Sequence, residues 1–173
     1  MKIAMAADHA GFEYKDRIAV YLTSKGHAIV DYGTCNETPV DYPDYGFVVG
    51  ESVATGQVER GIVVCGSSLG IAMAANKVAG VRCAAVFEPY STELSRRHND
   101  ANVLALSERL SGWEMAIKCI DVFLETEFDG GRHAGRVSKL NEYGQLAKAK
   151  TLRDLERGKV EGAETSQAQL ASS

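Results

Sequence analysis

One cysteine stands where a thiol could do chemistry. Val63-Val64-Cys65 ends an apolar run, Gly66-Ser67-Ser68-Leu69-Gly70 follows, and Ile71-Ala72-Met73-Ala74-Ala75 begins a small-residue helix. A helix start favours an anion, and such a position lowers a thiol from its ordinary pKa of roughly 8.5 toward neutrality. Three chemistries could use the arrangement: a phosphate-binding turn, a redox or acyl-transfer thiol, or a thiolate that moves protons. The loop lacks the Lys-Ser/Thr of a P-loop and is not a G-x-G-x-x-G, so nothing in it marks a nucleotide.

Further reactive groups lie elsewhere. Asp8-His9-Ala10-Gly11 follows one strand candidate, Ser107-Glu108-Arg109 follows another, and Arg96-Arg97-His98-Asn99-Asp100 closes a helix. In Gly130-Gly131-Arg132-His133-Ala134-Gly135-Arg136, two arginines stand four apart with a histidine between them. A helical turn would present those donors on one side, suited to a phosphate. Each has a plainer reading as a turn, a cap or a solvated basic loop. Cys83 and Cys119 read as small buried hydrophobes, Cys35 lies in a polar loop with no base nearby, and the scattered histidines show no metal-ligand spacing.

Strand candidates are Ile3–Ala7, Ala28–Asp31, Gly61–Cys65, Arg82–Phe87 and Asn102–Leu106. Amphipathic stretches separate them. Tyr14, Ile18, Tyr21 and Leu22 share a helical face that Gly26 terminates; Tyr45, Val48, Val49 and Val53 share another that Gly56 closes. Ser111-x-x-Glu114 predicts a capping box ahead of the stripe Trp113, Ala116, Ile117, Ile120, Phe123 and Leu124. Five strand–helix alternations predict an α/β fold: a five-stranded, Rossmann-like parallel sheet in a three-layer α/β/α sandwich, plus a C-terminal helix. Open sheets of this kind bind ligands at the carboxyl ends of their strands, which is where Asp8, Cys65 and Arg109 fall. The expected organisation is one domain over residues 1–150 and a polar, partly disordered tail over 151–173.

Composition narrows the rest. The 173 residues are 45% apolar and 24% charged with a formal net charge of −4, which argues against nucleic acid or an acidic membrane as partner. No apolar run reaches the roughly 20 residues of a spanning helix, and the amino-terminal run reads as a strand rather than a signal peptide. Four separated cysteines without a C-x-x-C predict a reduced, cytoplasmic protein.

Taken together, Asp8-His9-Ala10-Gly11, Asp41-Tyr42-Pro43-Asp44-Tyr45, Cys65-Gly66-Ser67-Ser68-Leu69-Gly70-Ile71, Ala74-Ala75-Asn76-Lys77, Ser95 to Asn102 and Gly130 to Arg136 resemble the ribose-5-phosphate isomerase B family. That family includes galactose-6-phosphate isomerase subunits, and the likeness runs from Met1 to about Leu146. It implies an aldose–ketose isomerase of a small-molecule sugar phosphate that needs no metal or organic cofactor. By the resemblance, Cys65 is the base that moves a proton between C2 and C1, the amides of Gly66 to Gly70 hold the enediolate oxygen, and Ser67 passes the hydroxyl proton. His98 opens the sugar ring, Asp8 and Tyr42 line the sugar, and Asn99 bonds a sugar oxygen. His9, Arg109, Arg132, His133 and Arg136 match phosphate positions. The Arg132–Arg136 segment reaches the other subunit's site, which implies a homodimer and allows a dimer of dimers. Ser68 departs from the family's usual glycine; a side chain there narrows the approach of substrate and opposes a positive φ. The competing readings are an isomerase of another aldose phosphate (allose 6-phosphate or a four-carbon sugar), a sugar-phosphate sensor without turnover, and a thiol redox protein.

Overall fold

The computed structural model describes residues 1–146 together with Lys150 and Arg153. Five parallel strands, β1 (Lys2–Ala7), β2 (Ala28–Asp31), β3 (Arg60–Cys65), β4 (Cys83–Ala85) and β5 (Val103–Ser107), form one sheet in the order β2-β1-β3-β5-β4. Helices α1 (Phe12–Ser24), α2 (Tyr42–Ala54), α3 (Leu69–Ala75), α4 (Pro89–Asn99) and α5 (Trp113–Glu125) alternate with them. A 3-10 turn over Gly131–His133 leads into α6, helical over 134–146. The tail expected over 151–173 lies outside the described residues except for Arg153.

The strand side chains alternate as the pleat requires. Ile3, Met5, Ile62, Val64, Leu104 and Leu106 enter one core with Ile18 and Leu22 of α1 and Ala116, Ile120 and Phe123 of α5. Ala4, Ala6, Val63, Cys65, Val103 and Ala105 enter the other with Val49 and Val53 of α2 and Ile71 and Ala75 of α3. Small residues on the second face let its helices sit close: a Cβ on Gly46 of α2 would meet Ile71 O of α3 at 2.7 Å. This is the expected three-layer sandwich.

Three local expectations shift. Strand four, Cys83–Ala85, is shorter than Arg82–Phe87 at both ends, and at its start Arg82 turns its N–H away from the ladder. Its backbone N–H donates to Asn102 Oδ1 (2.8 Å), and its side chain turns to the end of α4. The capping box at Ser111 does not form. Gly112 is the N-cap of α5 with no side-chain cap, and Ser111 Oγ makes no hydrogen bond among the described residues. Ser111 instead accepts the Tyr14 hydroxyl on its backbone oxygen at 3.0 Å, which ties α1 to the entry of α5. Ser68, where a side chain was expected to oppose a positive φ, adopts φ +65° as the buried N-cap of α3.

Candidate active site

Strand order reverses between β1 and β3: the chain leaves β1 toward β2 on one side and leaves β3 toward β5 and β4 on the other. A crevice opens at such a switch point, beyond the carboxyl ends of the two strands. Here those ends carry Asp8-His9 and the Cys65 loop.

The two loops are stitched together. Asp8 N–H donates to Val64 O (3.2 Å), and a Cβ on Gly11 would strike Val64 backbone at 2.8 Å, so only glycine permits this approach. Asp8 is buried, and its Oδ1 accepts from the amides of Ala10 (3.0 Å) and Gly11 (3.1 Å), which fixes the turn into α1. His9 accepts the Val40 amide on Nδ1 at 3.2 Å. A neutral imidazole bonded this way carries its proton on Nε2, leaving that N–H as a donor.

On the opposite flank, β5 is hooked to the same loop. Ser107 pairs with Cys65 in the register, its buried Oγ donates to Gly66 O at 2.7 Å, and Glu108 and Arg109 donate backbone N–H to Cys65 O and Gly66 O at 3.1 and 3.2 Å. This brings the exposed Arg109 guanidinium against Gly66: a Cβ there would lie 3.1 Å from Arg109 Cζ. Cys65 is 4% exposed, whereas Ser67 is exposed. Tyr42, at the start of α2, lays its ring on Gly70, where a Cβ would come within 2.8 Å of it. Asp8, His9, Tyr42, Cys65, Gly66, Ser67, Ser68, Gly70 and Arg109 therefore share the carboxyl edge of the sheet. Beside them a cleft of about 290 Å³ is lined by His9, Arg109, Arg17 and the carboxylates Glu13, Glu37 and Glu108.

His98, Asn99, Arg132, His133 and Arg136 are not at that edge. Helix α4 runs back against the strands, so its carboxyl end, with His98 and Asn99, lies before the first residue of β5. Cys65 is level with Ser107, whereas Val103 is level with Gly61. Those four strand residues separate the two groups by about 13 Å along the sheet, and the core fills the space between. Within one chain, the structure does not bring His98 to Cys65.

The second group is well ordered by its neighbours. Gly130 (φ +64°) and Gly131 (φ +51°) turn the chain sharply, so that the His133 ring stacks on His98 with centroids 4.3 Å apart and planes 4° apart. Arg132 Nε–H donates to His133 Nε2 at 3.3 Å. Burial lowers the His133 pKa, reinforced by the charges of His98, Arg132 and Arg136. Arg132 and Arg136 are exposed.

The end of α4 is held by Arg96, Arg97 and Asp100 of its own motif and by Arg82 from outside it. Arg82 donates Nε–H to Asn99 O (3.0 Å) and Asp100 O (2.9 Å), and Nη2 to Asp100 Oδ2 (2.7 Å). Buried Arg96 donates to Asp100 Oδ1 (2.8 Å) and Ala101 O (2.6 Å). Arg97 reaches Asp129 at 3.1 Å; that hydrogen bond is the main cause lowering the Asp129 pKa. By sequence Arg82 falls in a strand candidate, and its partners are mostly backbone carbonyls, including two at the end of α4, which no residue spacing encodes.

Among the described residues no three His, Cys, Asp or Glu side chains converge as a metal site. No helix among them is long and apolar enough to cross a membrane. The Cys83 thiol is pushed up to about 12 by burial, and burial also raises that of Cys119.

Comparison with known proteins adds an independent finding. Residues 3–140 match the family model described as Ribose/Galactose Isomerase. The chain is 45% identical over 139 residues to the ribose-5-phosphate isomerase B of Escherichia coli (strain K12), covering 80% of this chain and 93% of that protein. It is 37% identical over 145 residues to the D-erythrulose-4-phosphate isomerase of Pectobacterium atrosepticum, covering 83% and 95%. The crystal structure of Mycoplasma genitalium ribose-5-phosphate isomerase B with bound ribulose-5-phosphate superposes with a TM-score of 0.80 at 39% identity, covering 83% of this chain and 96% of that one.

Proposed function

The chain belongs to the ribose/galactose isomerase family, and from that membership we propose that it interconverts ribose 5-phosphate and ribulose 5-phosphate through an enediolate. Aldose–ketose isomerisation is the activity of the family; the substrate and the residue roles are our reading. The observation that carries it is the Cys65 loop: a thiol at the switch point, with a guanidinium against Gly66 and a helix starting after Ser68.

In this mechanism the Cys65 thiolate takes the proton from C2 of the open-chain aldose and returns it to C1, yielding the ketose. Amides of the Gly66–Gly70 turn stabilise the enediolate oxygen, a role worth about 10²–10³ in rate per donor, and exposed Ser67 shuttles the hydroxyl proton between O1 and O2. Asp8, with Oδ1 committed to its turn, and Tyr42 border the sugar. His9 and Arg109 take the phosphate.

His98 opens the furanose ring by protonating its oxygen, and Asn99 bonds a sugar hydroxyl. Both stand at the far edge of the sheet in their own chain, so they act on the site of a second copy, together with Arg132 and Arg136 on the phosphate. A homodimer is then the smallest complete enzyme, and a dimer of dimers is compatible with it. The relative that acts on a four-carbon sugar phosphate keeps tetrose phosphates, beside allose 6-phosphate, as the alternative substrates.

The test is an aldose-to-ketose assay over four-, five- and six-carbon aldose phosphates with a chelator present. Ribose 5-phosphate should give the highest kcat/KM, and Cys65→Ala should stay folded while losing about 10²–10⁴ in turnover. Near-normal turnover in Cys65→Ala removes the proton-transfer role. Binding of all these sugars without turnover favours a sensor.

A further inference from the structure

The cleft beside the Cys65 loop contains a cation that none of the roles above uses. Arg17 lies on α1 one turn after Glu13, and its Cζ sits 4.0 Å from the centroid of the Trp113 ring. Trp113 opens α5 and is itself braced edge-on by Tyr14, with centroids 5.7 Å apart and planes at 82°. Tyr14 is anchored by its hydroxyl to Ser111 O at 3.0 Å. Two helices far apart in the chain thus converge to seat one guanidinium over an indole ring.

Stacking occupies the face of a guanidinium and leaves its N–H donors free in the plane, the geometry that matches a phosphate. Arg17 has no hydrogen bond or ion pair among the described residues, although Glu13 is four residues away on its own helix. It lines the same cleft as Arg109, likewise without an ion pair, and His9, whose Nδ1 is committed to Val40. The carboxylates Glu13, Glu37 and Glu108 share the cleft and are exposed. With these present, the cleft does not attract anions through net charge. Recognition there depends on direct bonds from oriented donors.

We propose that Arg17, held on Trp113, is a further substrate-binding residue that gives its guanidinium fork to the phosphate monoester at the His9–Arg109 end of the cleft. The inference rests on the isomerase reading for the identity of the substrate, but not for the presence of the anion site. In one chain the phosphate would then meet three donors, Arg17, His9 and Arg109, before a second copy contributes any.

Trp113 is the chain's only tryptophan, so its fluorescence reports this shelf directly. Inorganic phosphate, titrated at constant ionic strength into the full chain, should change Trp113 emission saturably. Arg17→Gln should weaken that binding about tenfold or more, and Arg17→Lys should recover part of it. For ribose 5-phosphate, Arg17→Gln should raise KM by a similar factor and leave kcat within about twofold. Unchanged phosphate affinity and unchanged KM in Arg17→Gln overturn the proposal, as does a fall in kcat at constant KM. If the wild type turns over no aldose phosphate, yet Arg17→Gln abolishes the fluorescence response to phosphate, the anion site stands and the isomerase reading falls.

Discussion

Asp100 joins the stability of the fold to the presentation of His98 and Asn99. Its carboxylate receives Arg82 at 2.7 Å and Arg96 at 2.8 Å, and the Arg96 side chain is 2% exposed. Removing one partner of a buried ion pair costs about 3–5 kcal/mol. The Asp100 side chain is 33% exposed and both arginines keep carbonyl acceptors, so Asp100→Ala belongs at the low end, about 3 kcal/mol. Backbone conformation separates the variants further. Asp100 caps α4 at φ +47°, which alanine resists and glycine accepts, so Asp100→Gly should be about 0.5–1 kcal/mol less damaging than Asp100→Ala. Asp100→Asn keeps an acceptor and tolerates the left-handed region, and should cost about 2 kcal/mol. Urea midpoints measure the series; for a chain of this length, 3 kcal/mol corresponds to a fall in Tm of about 6–12 °C. Below that temperature, Asp100→Ala should still lose turnover, because the end of α4 is no longer clamped. An Asp100→Ala variant within about 1 kcal/mol of wild type, or one more stable than Asp100→Gly, would refute the reasoning.

Gly66→Ala should push the Arg109 guanidinium aside, since the new Cβ would lie 3.1 Å from Cζ; steady-state kinetics should show KM for ribose 5-phosphate rising several-fold with little change in the urea midpoint. Ser68→Val should destabilise by about 2–3 kcal/mol, because a β-branched residue resists the φ of +65°, and thermal melts should rank it well below Ser68→Gly. His133 titrates below its usual 6.5 in the folded protein, so the unfolded chain binds that proton first as pH falls. Its contribution is intact above the unfolded value and declines as pH drops through about 6.5 toward the folded value; urea midpoints should show this slope, and His133→Asn should flatten it. A thiol reagent near neutral pH should label exposed Cys35 well ahead of half-buried Cys83, whose thiol burial pushes up to about 12, as mass spectrometry of the labelled peptides will report.

Much of the architecture was legible because each strand alternates or runs apolar between turn residues, and because Gly26 and Gly56 stop their helices at positive φ. Cys65, Asp8 and Arg109 could be placed at one sheet edge from strand exits alone, since a parallel sheet puts every exit on the same side. The boundary of strand four was misplaced because Arg82 sits next to β-forming residues while its side chain serves a helix end. The capping box at Ser111 matched in sequence and failed in space, because Gly112, which has no side chain, takes the N-cap position of α5. The position of His98 opposite Cys65 follows from the direction of α4. The Arg17–Trp113 contact joins residues 96 apart in the chain, and nothing short of the packed helices brings them together.

The opposed ends of the sheet have a geometric consequence for the pairing proposed above. Two identical chains that exchange halves must be related by a two-fold rotation that lays the carboxyl edge of each beside the amino edge of the other. Such an axis runs across the strands, so the two sheets point in opposite directions. Every assembled pair then holds two equivalent catalytic centres, neither owned by one polypeptide, and dilution that parts the copies abolishes both centres at once.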